Sequence, residues 1–163
     1  MTTIQITPDK VKAAYEAATS EETKKVLSAL FSDQLKELDE PKDIKERVKT
    51  FADACKLVQV TDNQKILLDY NGNDKAMIAS QSHLKISIIA KALNEGWYPD
   101  WSNSNEYKYY PWFKATPGGG FSFLDYGNVD TASTVGSRLC FKSRELAEYA
   151  GKQFIDIYND FLQ

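Results

Sequence analysis

Histidine is almost absent from this sequence, and its scarcity excludes several kinds of chemistry. His83 is the single histidine, so paired-histidine metal motifs and the H-E-x-x-H helix are excluded. No G-x-S-x-G turn is present to supply the nucleophile of a catalytic triad. We therefore expect His83 to be an exposed or capping residue at the start of a helix, and we expect no metal and no cofactor.

Cysteine and long apolar runs are also scarce. Cys55 and Cys140 are far apart, and each lies in an apolar pattern, which predicts buried free thiols in a reducing, cytoplasmic compartment. The first residues show no basic stretch followed by an apolar run, so no signal peptide is expected. No apolar segment approaches the roughly 20 residues that a membrane-spanning helix needs.

Charge of one sign is not in excess. The net charge is −3 and the pI about 5.2, so the chain as a whole has no attraction for nucleic acid or an anionic membrane. Acidic and basic residues are spread evenly along the sequence. Any binding to an anion must therefore come from a local arrangement of cations.

The N-terminal part of the chain reads as helices. The start signal Thr7-Pro8-Asp9 predicts a first helix, and Ser20 would begin a second. Pro41 would open a third helix, because apolar residues recur at helical spacing from Ile44 to Cys55. The alternating charges on its other side are typical of a solvated helix surface.

A long helix and a terminal helix are predicted further along. The first runs from about Lys75 to Glu95, and Gly96 fits its C-cap. Ser143 would cap the last helix, which is strongly amphipathic. Residues 57–74 fit either a short hairpin or a pair of loop anchors.

Between these two helices the pattern changes to that of strands. Residues 107–113, 121–126 and 137–141 are rich in strand-forming residues, and the second segment alternates with period two. The run Gly118-Gly119-Gly120 joins two of them without a following lysine, which favours a hairpin turn over a phosphate-binding loop.

Together these elements predict an α+β fold. A three-stranded antiparallel sheet would pack against the long central helix and the C-terminal helix. We expect residues 41–163 to form this domain and residues 1–40 to form a helical N-terminal extension.

Aromatic residues are concentrated in the segment Trp97–Tyr126. It holds 11 of the 20 aromatic residues of the chain, including all three tryptophans. We expect Trp97, Trp101, Trp112 and Phe113 to fill the space between the sheet and the helices, with indole N–H groups bonded to backbone. Large aromatics are mostly buried in small domains, so this interpretation is favoured over an exposed binding surface.

Four phrases of the sequence together resemble a known group of proteins. They are residues 49–55, 89–101, 105–113 and 135–143, and the resemblance covers roughly residues 49–163. The chain resembles uncharacterised proteins of phages and prophage-like elements, especially of gut Bacteroidetes. This resemblance implies a mobile-element setting and implies no activity.

Residues that remain for contact with a partner are the aromatic and basic side chains near the open face of the sheet. Such side chains can stack on unpaired bases and neutralise phosphates, anchor a protein interface, or stack on sugar rings. We favour a non-enzymatic role through contact with a protein or a single-stranded nucleic acid, and the oligomeric state stays open. The candidate binding residues are Tyr98, Lys108, Tyr110, Tyr126, Arg138 and Lys142.

The alternative is a hydrolase or metal-dependent enzyme. Asp100, Glu106 and Asp125 lie near the aromatic residues in sequence, and paired carboxylates can serve hydrolysis or hold a divalent ion. Their spacing matches no known metal loop, so ordinary surface acids are the favoured interpretation. The enzyme hypothesis requires at least two of them to converge in a concave pocket.

Overall fold

A computed structural model describes residues 6–33, 35 and 43–163 of the chain. The chain divides into two units, residues 1–42 and residues 43–163. The boundary expected from the sequence lies after residue 40, close to this division. The two units are described separately below.

The first unit contains two helices of ten residues each among its described residues: α1, Pro8–Ala17, and α2, Glu21–Leu30. Ser20 caps α2, since its hydroxyl accepts a hydrogen bond from the backbone N–H of Thr23 at 3.4 Å. Both helices begin where the capping signals in the sequence placed them.

The second unit opens with two short helices, α3, Ile44–Arg47, and α4, Phe51–Leu57. The prediction of one continuous helix here was wrong. The Thr50 hydroxyl accepts the Asp53 N–H at 3.2 Å, and the Asp53 carboxylate accepts the Thr50 N–H at 3.1 Å. This reciprocal capping box starts a new helix where the apolar stripe alone predicted continuation. The expected start at Pro41 lies outside the described residues.

Residues 57–74 contain a helix, so both the hairpin and the loop-anchor expectations were wrong. Helix α5 spans Asp62–Leu68. Thr61 and Gln64 form a second capping box: the Thr61 N–H donates to Gln64 Oε1 at 2.9 Å, and the Gln64 N–H donates to Thr61 Oγ1 at 3.3 Å. The T-x-x-Q signature of a helix start was present in the sequence and was missed.

The predicted long helix is confirmed as α6, Lys75–Leu93. The Asp74 carboxylate caps its first turn with a hydrogen bond of 3.0 Å to a backbone N–H. The C-cap is Asn94, and the chain then leaves through Glu95 and Gly96, whose φ angles are 49° and 86°. The prediction of Gly96 as the C-cap was therefore wrong: Gly96 lies two residues beyond the cap, in a left-handed backbone that glycine tolerates best.

The sheet is a two-stranded antiparallel hairpin made of β1, Lys108–Ala115, and β2, Phe121–Val129. The turn between them contains Gly119 and Gly120 in the left-handed region, at φ 90° and 76°, as expected for a hairpin turn. The register shifts after Trp112, so that Leu124 on β2 has no partner.

The predicted third strand was wrong. Residues 137–141 form a single bridge to β1, in which Phe141 exchanges both backbone hydrogen bonds with Tyr109, at 3.0 and 2.7 Å. Pro111 follows two residues later on the same edge of β1. Because proline has no N–H, the ladder cannot continue past the bridge in the usual way.

The C-terminal helix is broken into α7, Arg144–Gln153, and α8, Ile155–Leu162, with Phe154 between them at φ −113° and ψ 29°. Ser143 caps α7, as predicted, with a bond of 3.3 Å to the Leu146 N–H. The single continuous helix expected here was wrong.

The two halves of this broken helix are tied to different partners. On α7, the Tyr149 hydroxyl donates to the carbonyls of Lys45 and Val48, both at 2.8 Å. On α8, the Asn159 side chain bonds the backbone N–H and C=O of Phe121, at 2.5 and 3.0 Å. The break lets each half meet its own partner.

One face of the hairpin packs directly on these helices. A Cβ atom on Gly151 would lie 2.7 Å from the Pro111 Cβ and 2.6 Å from the Phe123 ring, so only glycine allows α7 to approach so closely. Phe113 packs on Tyr158 of α8 with ring centroids 4.7 Å apart. The buried hydrophobic core joins residues of α3, α4, α6, α7 and α8, and partly buried side chains of the hairpin, among them Phe113 and Tyr126, pack against it.

The α+β class predicted from the sequence is confirmed. The described residues form eight helices and one antiparallel pair of strands. Within them, no helix is long and apolar enough to cross a membrane.

Candidate functional site

Lys108, expected on the open face of the sheet, is fully buried. Its ammonium group donates to the backbone carbonyls of Asp100, Asn103 and Glu106, the last two at 3.3 and 2.7 Å. The Glu106 carboxylate lies 3.3 Å away and the Trp101 ring centroid 5.5 Å away. Lys108 therefore holds the loop at residues 100–106 over the start of β1, and its side chain does not lie on an exposed surface.

The corner after α6 is braced by the two indole N–H groups. Trp97 donates to Glu106 Oε2 at 3.4 Å, and Trp101 donates to the Ser137 hydroxyl at 2.7 Å. We expected these groups to bond backbone, but their partners are side chains. Tyr98 lies between the two tryptophans in sequence, and 72% of it is exposed. The corner therefore presents one aromatic ring to solvent from a braced segment.

Trp112 does not fill the core as expected, because 57% of it is exposed. It lies on the outer face of the hairpin beside Tyr110, with ring centroids 6.5 Å apart. The Tyr110 ring lies over Gly127 on β2, where an added Cβ would come within 2.5 Å of it. Trp112 thus belongs to an exposed surface that was not predicted from the sequence. The signal was present, because period-two alternation through Pro111 places Trp112 on the same face as Tyr110.

Two further candidate residues are engaged in local pairs. The Tyr126 ring receives the Arg144 guanidinium at 4.7 Å from its centroid, an arrangement that attracts a cation to the ring face. The Lys142 ammonium forms an ion pair with Glu95 at 3.1 Å. Neither residue lines the hollow to which Tyr98 contributes.

Tyr98 and Arg138, by contrast, are brought together in a groove beside α6. The groove consists of two adjoining hollows, of about 590 and 360 Å³, that share Gln64, Ser87 and Arg138. We call it the α6 groove. Its other polar or aromatic lining residues are Ser80, His83, Lys91, Asn94, Trp97, Tyr98, Ser137 and Phe161.

The charge of the α6 groove contrasts with that of the whole chain. Lys91 and Arg138 are exposed cations, and within the described residues their side chains form no ion pair or hydrogen bond. No carboxylate is among the described residues that line the groove. Two carboxylates lie close to the groove: Glu95 shares a neighbouring hollow with Lys91, and Glu106 accepts the Trp97 N–H at 3.4 Å. Both are paired with other cations, Glu95 with Lys142 and Glu106 with Lys108. An anion placed in the groove would therefore meet two unpaired cations.

His83 also lines the groove, where it is half-buried and packs on Phe161 with ring centroids 5.7 Å apart. The expectation of an exposed or capping histidine was therefore wrong. Its neighbours along α6 in the groove are Ser80, whose hydroxyl donates to the Ala76 carbonyl at 2.7 Å, and Ser87, which adds a hydroxyl donor to the lining.

The acids that motivated the enzyme hypothesis have structural partners. Hydrogen bonds from Ser102 lower the pKa of Asp100, and the Asp100 backbone N–H, with Lys108 and Trp97, lowers the pKa of Glu106. Asp125 is exposed on β2, outside the hollows of the α6 groove. In the described part of the chain, no three His, Cys, Asp or Glu residues are grouped so that they could hold a metal ion.

The two cysteines are free thiols, as predicted; Cys140 is buried, but Cys55 is only half-buried, so the predicted burial of Cys55 was wrong. Burial raises the pKa of Cys140 to about 11 and also raises that of Cys55. The Cys140 thiol donates to the Gly136 carbonyl at 3.0 Å. A protonated, buried thiol is a poor nucleophile, so Cys140 belongs to the packing of the domain.

Comparisons with protein-family models, with curated proteins and with solved structures find no match for this chain. The functional argument therefore rests on the geometry and charge of the surfaces described above.

Proposed function

We propose that the chain is a non-enzymatic protein of a phage-like element that binds single-stranded nucleic acid in the α6 groove. The observation that carries this proposal is the pairing of two uncommitted cations, Lys91 and Arg138, with the exposed ring of Tyr98 in one concave, carboxylate-free surface. The mobile-element setting follows from the resemblance of residues 49–163 to phage and prophage proteins.

The cations supply the attraction for a phosphate backbone. Each neutralised phosphate of a single strand contributes a slope of about −0.7 to the dependence of log K on log salt. Two contacts, from Lys91 and Arg138, give a slope of about −1.4, so affinity falls about sevenfold between roughly 50 and 200 mM salt. Since the chain carries a net charge of −3, this attraction is local to the groove.

Tyr98 supplies the stacking platform. An exposed ring can receive an unpaired base with a gain of roughly 1–3 kcal/mol, whatever the base. A paired base offers no free face to the ring, so the proposal favours a single strand over a duplex. The ring is held ready for stacking because Trp97 and Trp101 brace the segment on both sides of it.

Hydrogen-bond donors beside the cations complete the surface. Gln64, Ser87 and Ser137 line the same hollow as Arg138, and neutral donors of this kind bond phosphate and sugar oxygens without reading the base. We therefore expect weak preference among sequences.

The experiment is a titration of a fluorescently labelled DNA or RNA single strand of about 15 nucleotides, within the usual range of site sizes. Tyr98→Ala should weaken binding by about 5- to 150-fold through lost stacking. Tyr107→Ala removes a tyrosine that is 53% exposed outside the groove, and it should leave binding unchanged.

Absence of salt-dependent binding at micromolar protein would refute the proposal. Equal weakening by Tyr98→Ala and Tyr107→Ala would place any binding away from the groove. Equal affinity for a duplex and a single strand would remove the stacking argument, because a duplex cannot offer its bases to Tyr98.

A further inference from the structure

The outer face of the hairpin is a second exposed surface, separate from the α6 groove. Trp112 and Leu124 are 57% and 53% exposed there, and Tyr110 lies beside Trp112. Leu124 is the residue that the register shift leaves without a partner. Tryptophan and tyrosine are the residues most enriched at the energetic centres of protein interfaces.

The charges on this face have both signs. Asp125 is the strand partner of Trp112, and Lys114 lies two residues beyond Trp112 on β1. Both charged residues are exposed, and within the described residues neither has an ion-pair partner. One oxygen of Asp125 accepts the Tyr126 backbone N–H at 2.9 Å. A face with an apolar centre and one exposed charge of each sign can be complementary to a second copy of itself.

The edges of the hairpin are less available than its face. On β1, Tyr109 is already bridged to Phe141, and Pro111 has no N–H to offer at the same edge. On β2, Asn159 occupies the backbone groups of Phe121. Extension of the sheet by another strand is therefore obstructed at Tyr109 and Pro111 on β1 and at Phe121 on β2.

We propose that the outer face of the hairpin is the interface of a homodimer, in which two copies pack face to face about a two-fold axis. The partner is a second copy because the same small patch offers Lys114 and Asp125 beside Trp112. In such an interface residue i of one copy meets residue j of the other, and j meets i.

A single axis satisfies all of these contacts. Strand neighbours two apart are separated by about 6.6 Å, and paired strands by about 4.8 Å. An axis in the plane of the face, diagonal to the strands between Lys114 and Asp125, exchanges these two residues. The same axis brings the two copies of Trp112 to within a few ångströms of each other in projection.

The first test measures molar mass by sedimentation velocity over a wide range of protein concentrations. The wild type should change from monomer to dimer, and Trp112→Ser should weaken dimerisation by at least about tenfold. Tyr98→Ser removes another exposed aromatic residue from the corner after α6 and should leave the dissociation constant unchanged. A wild type that stays monomeric throughout the range would overturn the proposal.

The second test uses charge reversal and mixing, which separates this interface from any other. Lys114→Glu and Asp125→Lys should each weaken the homodimer, because each places two pairs of like charges across the axis. A mixture of the two variants should form a heterodimer, since each glutamate then meets a lysine and each native Lys114 meets a native Asp125. Failure of the mixture to associate better than either variant alone would overturn the assignment of this face.

Discussion

Replacing Lys108 with methionine tests how the corner that carries Tyr98 is held in place. Lys108 is fully buried, and its ammonium group satisfies three backbone carbonyls and the Glu106 carboxylate. Methionine has a similar length, so the substitution removes the charge and the donors with little change in volume. The carbonyls and Glu106 would then lack their buried partner.

The expected cost follows from these contacts. Removing one partner of a buried charged network costs about 3–5 kcal/mol when both charges are inaccessible. The Glu106 side chain is 28% exposed, so water can replace part of its interaction, and we expect a loss of about 3 kcal/mol in the free energy of unfolding. For a domain of this size that corresponds to about 6–12 °C in Tm.

Urea unfolding followed by tryptophan fluorescence is the assay. Trp97, Trp101 and Trp112 all lie in the second unit, so their emission reports on that unit alone. Lys49→Met, at an exposed position of the same unit, is the matched control and should change stability by less than about 0.5 kcal/mol. A loss for Lys108→Met no larger than that of the control would refute the reasoning.

Three further perturbations have defined outcomes. Tyr149→Phe removes the hydroxyl that bonds two backbone carbonyls and should lower the free energy of unfolding by about 1–2 kcal/mol, measured in urea. Cys140, whose pKa is raised to about 11 by burial, should react with a thiol reagent at pH 8 only after unfolding, in a time-resolved absorbance assay. The pKa of Asp53 is lowered from 3.8 to about 2, and the largest cause is the hydrogen bond with Lys56. The ionised carboxylate therefore stabilises the fold fully above about pH 4, and this stabilisation is lost as the pH falls through 2. The stability difference between wild type and Asp53→Asn in acid titrations should shrink over that range, and a constant difference would contradict the assignment.

Local signals in the sequence determined much of the fold. The long helix α6, the hairpin turn at residues 118–120 and the Ser143 cap were predicted because each depends on neighbouring residues. The breaks at residues 48–50 and within residues 57–74 were also local. Capping boxes at Thr50 and Thr61 start new helices at these positions. The spacing of apolar residues alone does not reveal these starts.

The positions of Lys108 and Trp112 could not be predicted from local patterns. Alternation assigns a side chain to one face of a strand, and it does not reveal that residues 100–106 fold over the end of β1 and bury the lysine there. Trp112 was assigned to the core because large aromatics are usually buried. Its exposure depends on the helices covering only the other face of the hairpin, which is a tertiary property.

The candidate site was only partly predictable for the same reason. Tyr98 and Arg138 were identified as single residues by their type. Their meeting in one groove depends on the path of the chain across residues 94–142, where Asn94 bonds the Cys140 carbonyl at 2.9 Å and the Lys142 N–H at 3.0 Å. Lys91 was not identified, because a lysine on a long helix carries no signal of its own.

The most direct test of the proposed function is the salt dependence of single-strand binding in paired variants. Wild type should show a slope of about −1.4 in log K against log salt, and Arg138→Gln should reduce it to about −0.7 because one phosphate contact is lost. Lys49→Gln removes an exposed lysine outside the groove and should keep the wild-type slope. No binding, or the same slope in all three proteins, would contradict the assignment of the α6 groove as a nucleic-acid site.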